Sequence, residues 1–159
     1  MSDKPLPTRR KTLRVLAIAL AFGVVGTGGA AAEASKPHRV AIHVDQNDPA
    51  VMNMALNNAK NVLEHYRDKN EDAEVEIVAY GPGLHMLRDD TSPVKDRIKQ
   101  MVEVSFPSKI KLSACDNTKQ GMEKREGHPI AIIPQATIVP SGVVRLMELQ
   151  EQGWSYLRP

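Results

Sequence analysis

The chain has 159 residues, 25% of them charged and 42% apolar, a composition that suits one globular domain. Aromatic residues make up only 4%, which speaks against a basic surface interleaved with rings for stacking on single-stranded nucleic acid. The formal charge of +2 belongs to the first residues: taking Lys4, Arg9, Arg10, Lys11 and Arg14 from the 21 basic residues, and Asp3 and Glu33 from the 19 acidic ones, leaves 16 against 17. So neutral a body argues against nucleic acid or an anionic membrane as main partner.

Residues 1–14 are basic and polar, residues 15–32 (VLAIALAFGVVGTGGAAA) are apolar and small, and Ala32-Glu33-Ala34 supplies the A-x-A positions of a cleavage site. This three-part plan predicts a signal peptide over residues 1–34 and a domain over 35–159. Gly, Ala and Thr fill the second half of the apolar stretch and no basic stop-transfer cluster follows, so cleavage is expected, with no stable membrane insertion afterwards. Thr8-Arg9-Arg10-Lys11-Thr12-Leu13-Arg14 resembles the twin-arginine export pattern, with Thr12 in place of the usual Phe; ordinary Sec export is the alternative. Either route predicts a periplasmic protein. Cys115 is the only cysteine, so no intramolecular disulfide forms and the core alone must hold the fold.

Strand and helix signals then alternate. Arg39–Asp45 reads as a strand, with Val40, Ile42 and Val44 alternating against Ala41, His43 and Asp45. Asp48-Pro49 starts a helix in which Met52, Ala55, Leu56, Ala59, Val62, Leu63 and Tyr66 share one face, with Asn53 and Asn57 on a solvated one. Glu74–Tyr80 is a second strand, closed by a turn at Gly81-Pro82-Gly83. Ser92-Pro93 starts a second helix that turns Val94, Ile98, Met101 and Val102 inward until Phe106-Pro107 breaks it. Lys109–Cys115 is a third strand, and Asp116-Asn117-Thr118 opens a short, poorly amphipathic helix. Ala136–Val139 is a fourth strand. Ser141 caps a last helix, stopped by Gly153, and Trp154–Leu157 is a terminal strand. This order predicts an α/β fold, a three-layer α/β/α sandwich with a mostly parallel sheet of about five strands. No GxGxxG or Walker sequence marks a nucleotide site, and no cofactor is expected.

The segments VAIHVDQNDPAV, ALNNAKNVL, EIVAYGPGLHML, LSACDNT and VPSGVVRLMELQEQGWSYLRP resemble the DsrE/DsrF-like family of sulfur-metabolism proteins over residues 38–159. LSACDNT and VPSGVVRLMELQEQGW are the most specific of them. The resemblance implies a parallel-sheet sandwich assembled as a homotrimer or homohexamer. It also implies a persulfide carried on the cysteine that follows the third strand, the place held by Cys115, and exchanged with a sulfur donor or acceptor protein. The leader is a departure, because the characterised carriers of the family work in the cytoplasm.

The residues support a related reading on their own. Cys115 ends a strand and precedes a helix, and in parallel sheets ligand sites lie beyond the carboxyl ends of strands. Backbone N–H groups of the helix favour a thiolate, the form that attacks sulfane sulfur, whereas Asp116 opposes ionisation. The alternative is a buried cysteine acting as a small hydrophobe. His43 and His85 fall in segments that open on the side assigned to Cys115 and are candidate proton donors to the sulfur. No HxxxH or CxxC spacing supports a metal. Asp116, Asn117, Thr118, Gly81 and Gly83 are candidate ligand-binding positions, the glycines through turn N–H groups able to hold an anion. Lys119, Lys124 and Arg125 read as a solvated face. The last helix is apolar over a wide arc (Val143, Val144, Leu146, Met147, Leu149), which predicts packing against another copy of the chain. Two functions follow: a periplasmic, sulfurtransferase-like carrier of sulfane sulfur, or a non-catalytic module that binds a small ligand or metal or assembles with an exported partner. No Ser-His-Asp or paired-carboxylate pattern supports a hydrolase.

Overall fold

The computed structural model describes residues 36–159; the signal peptide expected over residues 1–34 lies outside the described residues. Five strands form one sheet: β1 (His38–Val44), β2 (Ala73–Ala79), β3 (Ile110–Cys115), β4 (Thr137–Val139) and β5 (Ser155–Leu157). Their order is β4-β3-β2-β1-β5 and every pairing is parallel. Between them lie α1 (Pro49–Asp68), a 3-10 helix (Gly81–Leu87), α2 (Lys95–Lys99) running into a π-helical turn (Gln100–Ser105), α3 (Asp116–Glu126) and α4 (Gly142–Glu151). Among the described residues no helix is long and apolar enough to cross a membrane.

The strand order explains how the layers are filled. Steps from β1 to β2 to β3 to β4 all move one way across the sheet, so right-handed crossovers put their helices on the same face. The return from β4 to β5 runs the other way, and α4 must cross the opposite face. The two cores reflect this. Val40, Ile42, Val44, Val75, Ile77, Ile110 and Leu112 pack with Met52, Leu56, Leu84, Leu87, Ile98 and Met122. The residues between them, Ala41 and Val78, pack with Leu146, Leu149 and Trp154 of the α4 layer and with Tyr80. The three-layer α/β/α sandwich is thus present, with one face carrying a single helix.

Local chemistry sets most boundaries. Asp48 caps α1, accepting the Ala50 N–H at 2.7 Å, and Pro49 opens the first turn. Ser141 caps α4, and Gly127 ends α3 in the left-handed conformation at φ 76°. Two expectations need correction. Gly81-Pro82-Gly83 opens a 3-10 helix rather than a simple turn, so His85 stands on a helix. The second helix begins at Lys95, not Ser92: the Ser92 hydroxyl donates to the Met86 carbonyl at 2.6 Å and accepts the Val94 N–H only at 3.4 Å. On the solvated face of α1, Arg97 donates to the side-chain carbonyls of Asn53 and Asn57 at 2.6 and 2.5 Å and ties α1 to α2.

Two buried charges hold the layers. Glu76, 1% exposed on β2, accepts from Arg145 Nε and Nη2 at 2.6 and 2.8 Å and from the Ser113 hydroxyl at 2.7 Å. Burial pushes its carboxyl up, but the hydrogen bonds from Arg145 and Ser113 win and hold it below its ordinary value. Arg88, also buried, is forked by Asp90 and Glu126 at 2.7–2.9 Å, which locks the segment after the 3-10 helix to α3.

Candidate functional site at the carboxyl edge of the sheet

Cys115 is both the last residue of β3 and the N-cap of α3, and its Sγ accepts the Thr118 N–H at 3.4 Å. It is 4% exposed. The alternation that sends Ala114 into the α1-side core turns Cys115 to the α4 face. There Val139 of β4 stands opposite it, and Tyr80 leaves β2 on the same face, Ala79 being paired with Ala114. The Asp116 carboxylate accepts from Gln120 Nε2 at 2.6 Å.

His43 lies on the same face, one strand beyond Tyr80. Its ring stacks on Tyr80, with centroids 4.5 Å apart, and Nδ1 shares a hydrogen bond with the Tyr156 hydroxyl at 2.8 Å. His43 is 6% exposed, and among the described residues Nε2 has no hydrogen-bond partner, with Asp45 Oδ2 at 3.8 Å. Burial lowers the pKa of His43 and the charge of Arg158 adds to that; Asp45 pulls the other way. Asp45 itself is held by Arg158 at 2.8 Å. Burial, and then the negative charge of Asp45, raises the pKa of Tyr80. The group sits at the carboxyl ends of β1 and β2, beside β5.

His85 belongs to the other side. It lies on the 3-10 helix packed in the α1 layer, and its Nδ1 shares a hydrogen bond with Thr91 Oγ1 at 2.8 Å. It lines a cavity of about 400 Å³ with Asn47, Gly81, Pro82, Asn117, Thr118, Gly121, Met122 and Arg125. His43 and His85 therefore do not converge on the sulfur. The structure gathers His85, Gly81, Asn117 and Thr118 around the cavity and leaves His43 with Tyr80 on the α4 face. Cys115 stands between, joined to the cavity wall through the Thr118 N–H.

The anion nest expected of the glycine turn is not available. The Gly81 N–H donates to Thr118 Oγ1 at 3.0 Å and the Gly83 N–H to the Tyr80 carbonyl at 3.1 Å. Gly83 is required by packing, since a Cβ there would lie 2.2 Å from the Val44 carbonyl oxygen. Among the described residues no group of three or more His, Cys, Asp or Glu is placed to hold a metal ion.

Sequence reasoning missed Tyr80, Tyr156, Asp45, Arg125 and Arg158. Tyr80 and Glu76 had a usable signal: both fall on the alternate positions of EVEIVAY that include Val78, a face with little else on it. Arg125 was hidden in a basic run. Its neighbours explain the difference: Lys119 pairs with Glu123 at 2.6 Å, whereas Arg125 lines the cavity.

Fold and site together define a small α/β sandwich protein with an all-parallel five-stranded sheet and its candidate chemistry at the carboxyl edge. No family model matches the chain, and neither does any curated protein. Among solved structures it is similar to MTH1491 from Methanobacterium thermoautotrophicum, described as a protein of unknown function. The two share 26% identity and a TM-score of 0.64 over 77% of this chain and 99% of that one.

Proposed function

We propose that the protein handles sulfur, with Cys115 accepting sulfane sulfur as a persulfide and passing it on. The observation that carries this reading is the place of the thiol. It ends a strand at the carboxyl edge, caps the following helix, and has a backbone N–H already directed at Sγ. The resemblance of LSACDNT to the DsrE/DsrF-like carriers supports the same residue.

The step balances with a small-molecule or protein persulfide as donor. The Cys115 thiolate attacks the terminal sulfur of R–S–SH, a new S–S bond forms at Cys115, and the donor S–S bond breaks. R–S⁻ leaves and takes up a proton from solvent, and relay to an acceptor thiolate is the same step in reverse. Periplasmic location, a signal peptide over residues 1–34 and self-association belong to this proposal.

The test is intact mass after incubation with a persulfide donor. A gain of one sulfur that is absent in Cys115→Ser supports the carrier. No gain on the wild-type protein, or an equal gain on the variant, refutes it. A second reading, a module that binds a small ligand without using the thiol, is favoured by the near-complete burial of Sγ and by the cavity beside it, whose lining does not include Cys115. On that reading ligand binding survives Cys115→Ser and no sulfur is transferred.

A further inference from the structure

The cavity between the 3-10 helix and α3 has properties that the chemistry of Cys115 does not use. It lies beyond the carboxyl ends of β2 and β3, with Asn47 of the β1–α1 connection closing one side. Among the described residues no carboxylate lines it. The acids of α3 are engaged elsewhere: Asp116 by Gln120, Glu123 by Lys119 and by the Ile130 N–H, and Glu126 by Arg88. Arg125 is the cation on its wall. His85 adds a donor: with Nδ1 occupied by the Thr91 hydroxyl, its Nε2 carries the proton whenever Nδ1 accepts. Asn47 and Asn117 add side-chain amides.

Gly121 is an independent mark of a ligand space. It sits inside α3, where glycine costs about 1 kcal/mol relative to alanine. Neither of the usual reasons for a helical glycine applies, since its φ is not positive and nothing lies within 4 Å of where a Cβ would be. The missing Cβ leaves open the part of the cavity wall that Gly121 forms. Room of about 400 Å³, a cation, neutral donors and no acid select a small ligand of negative charge.

The geometry points to this cavity as a binding site for a small anion, a carboxylate or a sulfur or phosphorus oxyanion, recognised by Arg125 and His85. The site is independent of the sulfur-carrier reading, because Sγ of Cys115 is not among its lining atoms.

The test is an NMR titration of the ¹⁵N-labelled protein with sodium thiosulfate and, separately, with sodium acetate, each against sodium chloride at equal ionic strength. Saturable shifts are expected at Gly81, Thr118, Gly121 and the Arg125 side chain, with either anion or both. Saturation with thiosulfate alone assigns the oxyanion class, and with acetate alone the carboxylate class. Arg125→Gln is expected to weaken binding at least about tenfold, while Lys124→Gln, on the same helix outside the cavity, leaves it unchanged. Gly121→Ala should raise the melting temperature yet weaken binding, a combination that loss of folding cannot produce. Cys115→Ser should bind as the wild type does, so failed sulfur transfer with intact binding overturns only the carrier. No saturable shift with either anion up to about 10 mM, or saturation at the same concentration in Arg125→Gln as in the wild type, overturns the proposal.

Discussion

Replacing Arg145 by methionine keeps most of the stem that packs on the sheet and removes the guanidinium from Glu76. The carboxylate left behind is 1% exposed, with only the Ser113 hydroxyl as partner. Breaking a buried pair in this way costs about 3–5 kcal/mol. Protonation sets a ceiling on the purely electrostatic part: neutralising a carboxyl of ordinary value 4.5 at pH 7 costs about 3.4 kcal/mol, at 1.36 kcal/mol per unit. The lower end of the range is therefore expected, about 3 kcal/mol, or roughly 12 °C in melting temperature for a domain of this size. The pH dependence gives a sharper test. In the wild type the carboxyl is held below 4.5, so its contribution is present above that value and is lost as pH falls through the folded value. In Arg145→Met the carboxyl is raised, so the variant regains stability as pH falls from 7 towards 4.5. Urea unfolding of both proteins at pH 7 and pH 5 should show the difference between them shrinking by about 2 kcal/mol. Adding Glu76→Gln to the variant should recover stability at pH 7. An unchanged difference at the two pH values would refute the reasoning, since the loss would then come from packing and not from an orphaned charge.

Other consequences are equally direct. His43 has a pKa lowered mainly by burial, so its contribution to stability is present above 6.5 and declines as pH falls through that value towards the folded one. The stability of His43→Asn, which keeps an acceptor for Tyr156 near the place of Nδ1, should fall less steeply between pH 7 and 5; identical slopes in urea titrations would contradict this. Gly83→Ala drives a Cβ onto the Val44 backbone, and Gly142→Ala drives one to 2.9 Å from the Tyr80 Cβ, which a turn of the ring does not relieve; each should cost at least about 2 kcal/mol by thermal denaturation. Serine is a better helix N-cap than cysteine, so Cys115→Ser should melt within about 1 kcal/mol of the wild type, and alkylation of Cys115 in the native protein should run at least about tenfold slower than in urea. Val143, Val144 and Met147 stand about half exposed on the outer side of α4; if this is the surface of self-association, Met147→Glu should lower the mass seen by sedimentation, and a wild-type monomer would refute the association.

Alternation of Val40, Ile42 and Val44 along Arg39–Asp45, and the apolar-rich runs bounded by turn residues at Glu74–Tyr80 and Lys109–Cys115, were enough to place three central strands, because residues i and i+2 of a strand share one face. The caps at Asp48 and Ser141 were legible because an N-cap is a local interaction, made within three residues. Helix-length connections between the strands fixed the parallel sheet, since a parallel pair needs a crossover. Position next to a strand end was likewise enough to single out Cys115.

The neighbours of that thiol depended on strand order, which no local pattern contains. His43 meets Tyr156 across 113 residues, and Glu76 meets Arg145 across 69. Both contacts exist because β5 adds to the sheet beside β1 and forces α4 alone onto the second face. The two histidines that sequence position assigned to one opening were separated for the same reason: alternation sent His43 to the α4 side, and the 3-10 helix carried His85 into the other layer. Sequence determined the elements and the residue at the strand end, because those follow from local periodicity and capping; tertiary structure decided which side chains share a face and which charges are left facing the cavity, because that follows only from the direction of each crossover.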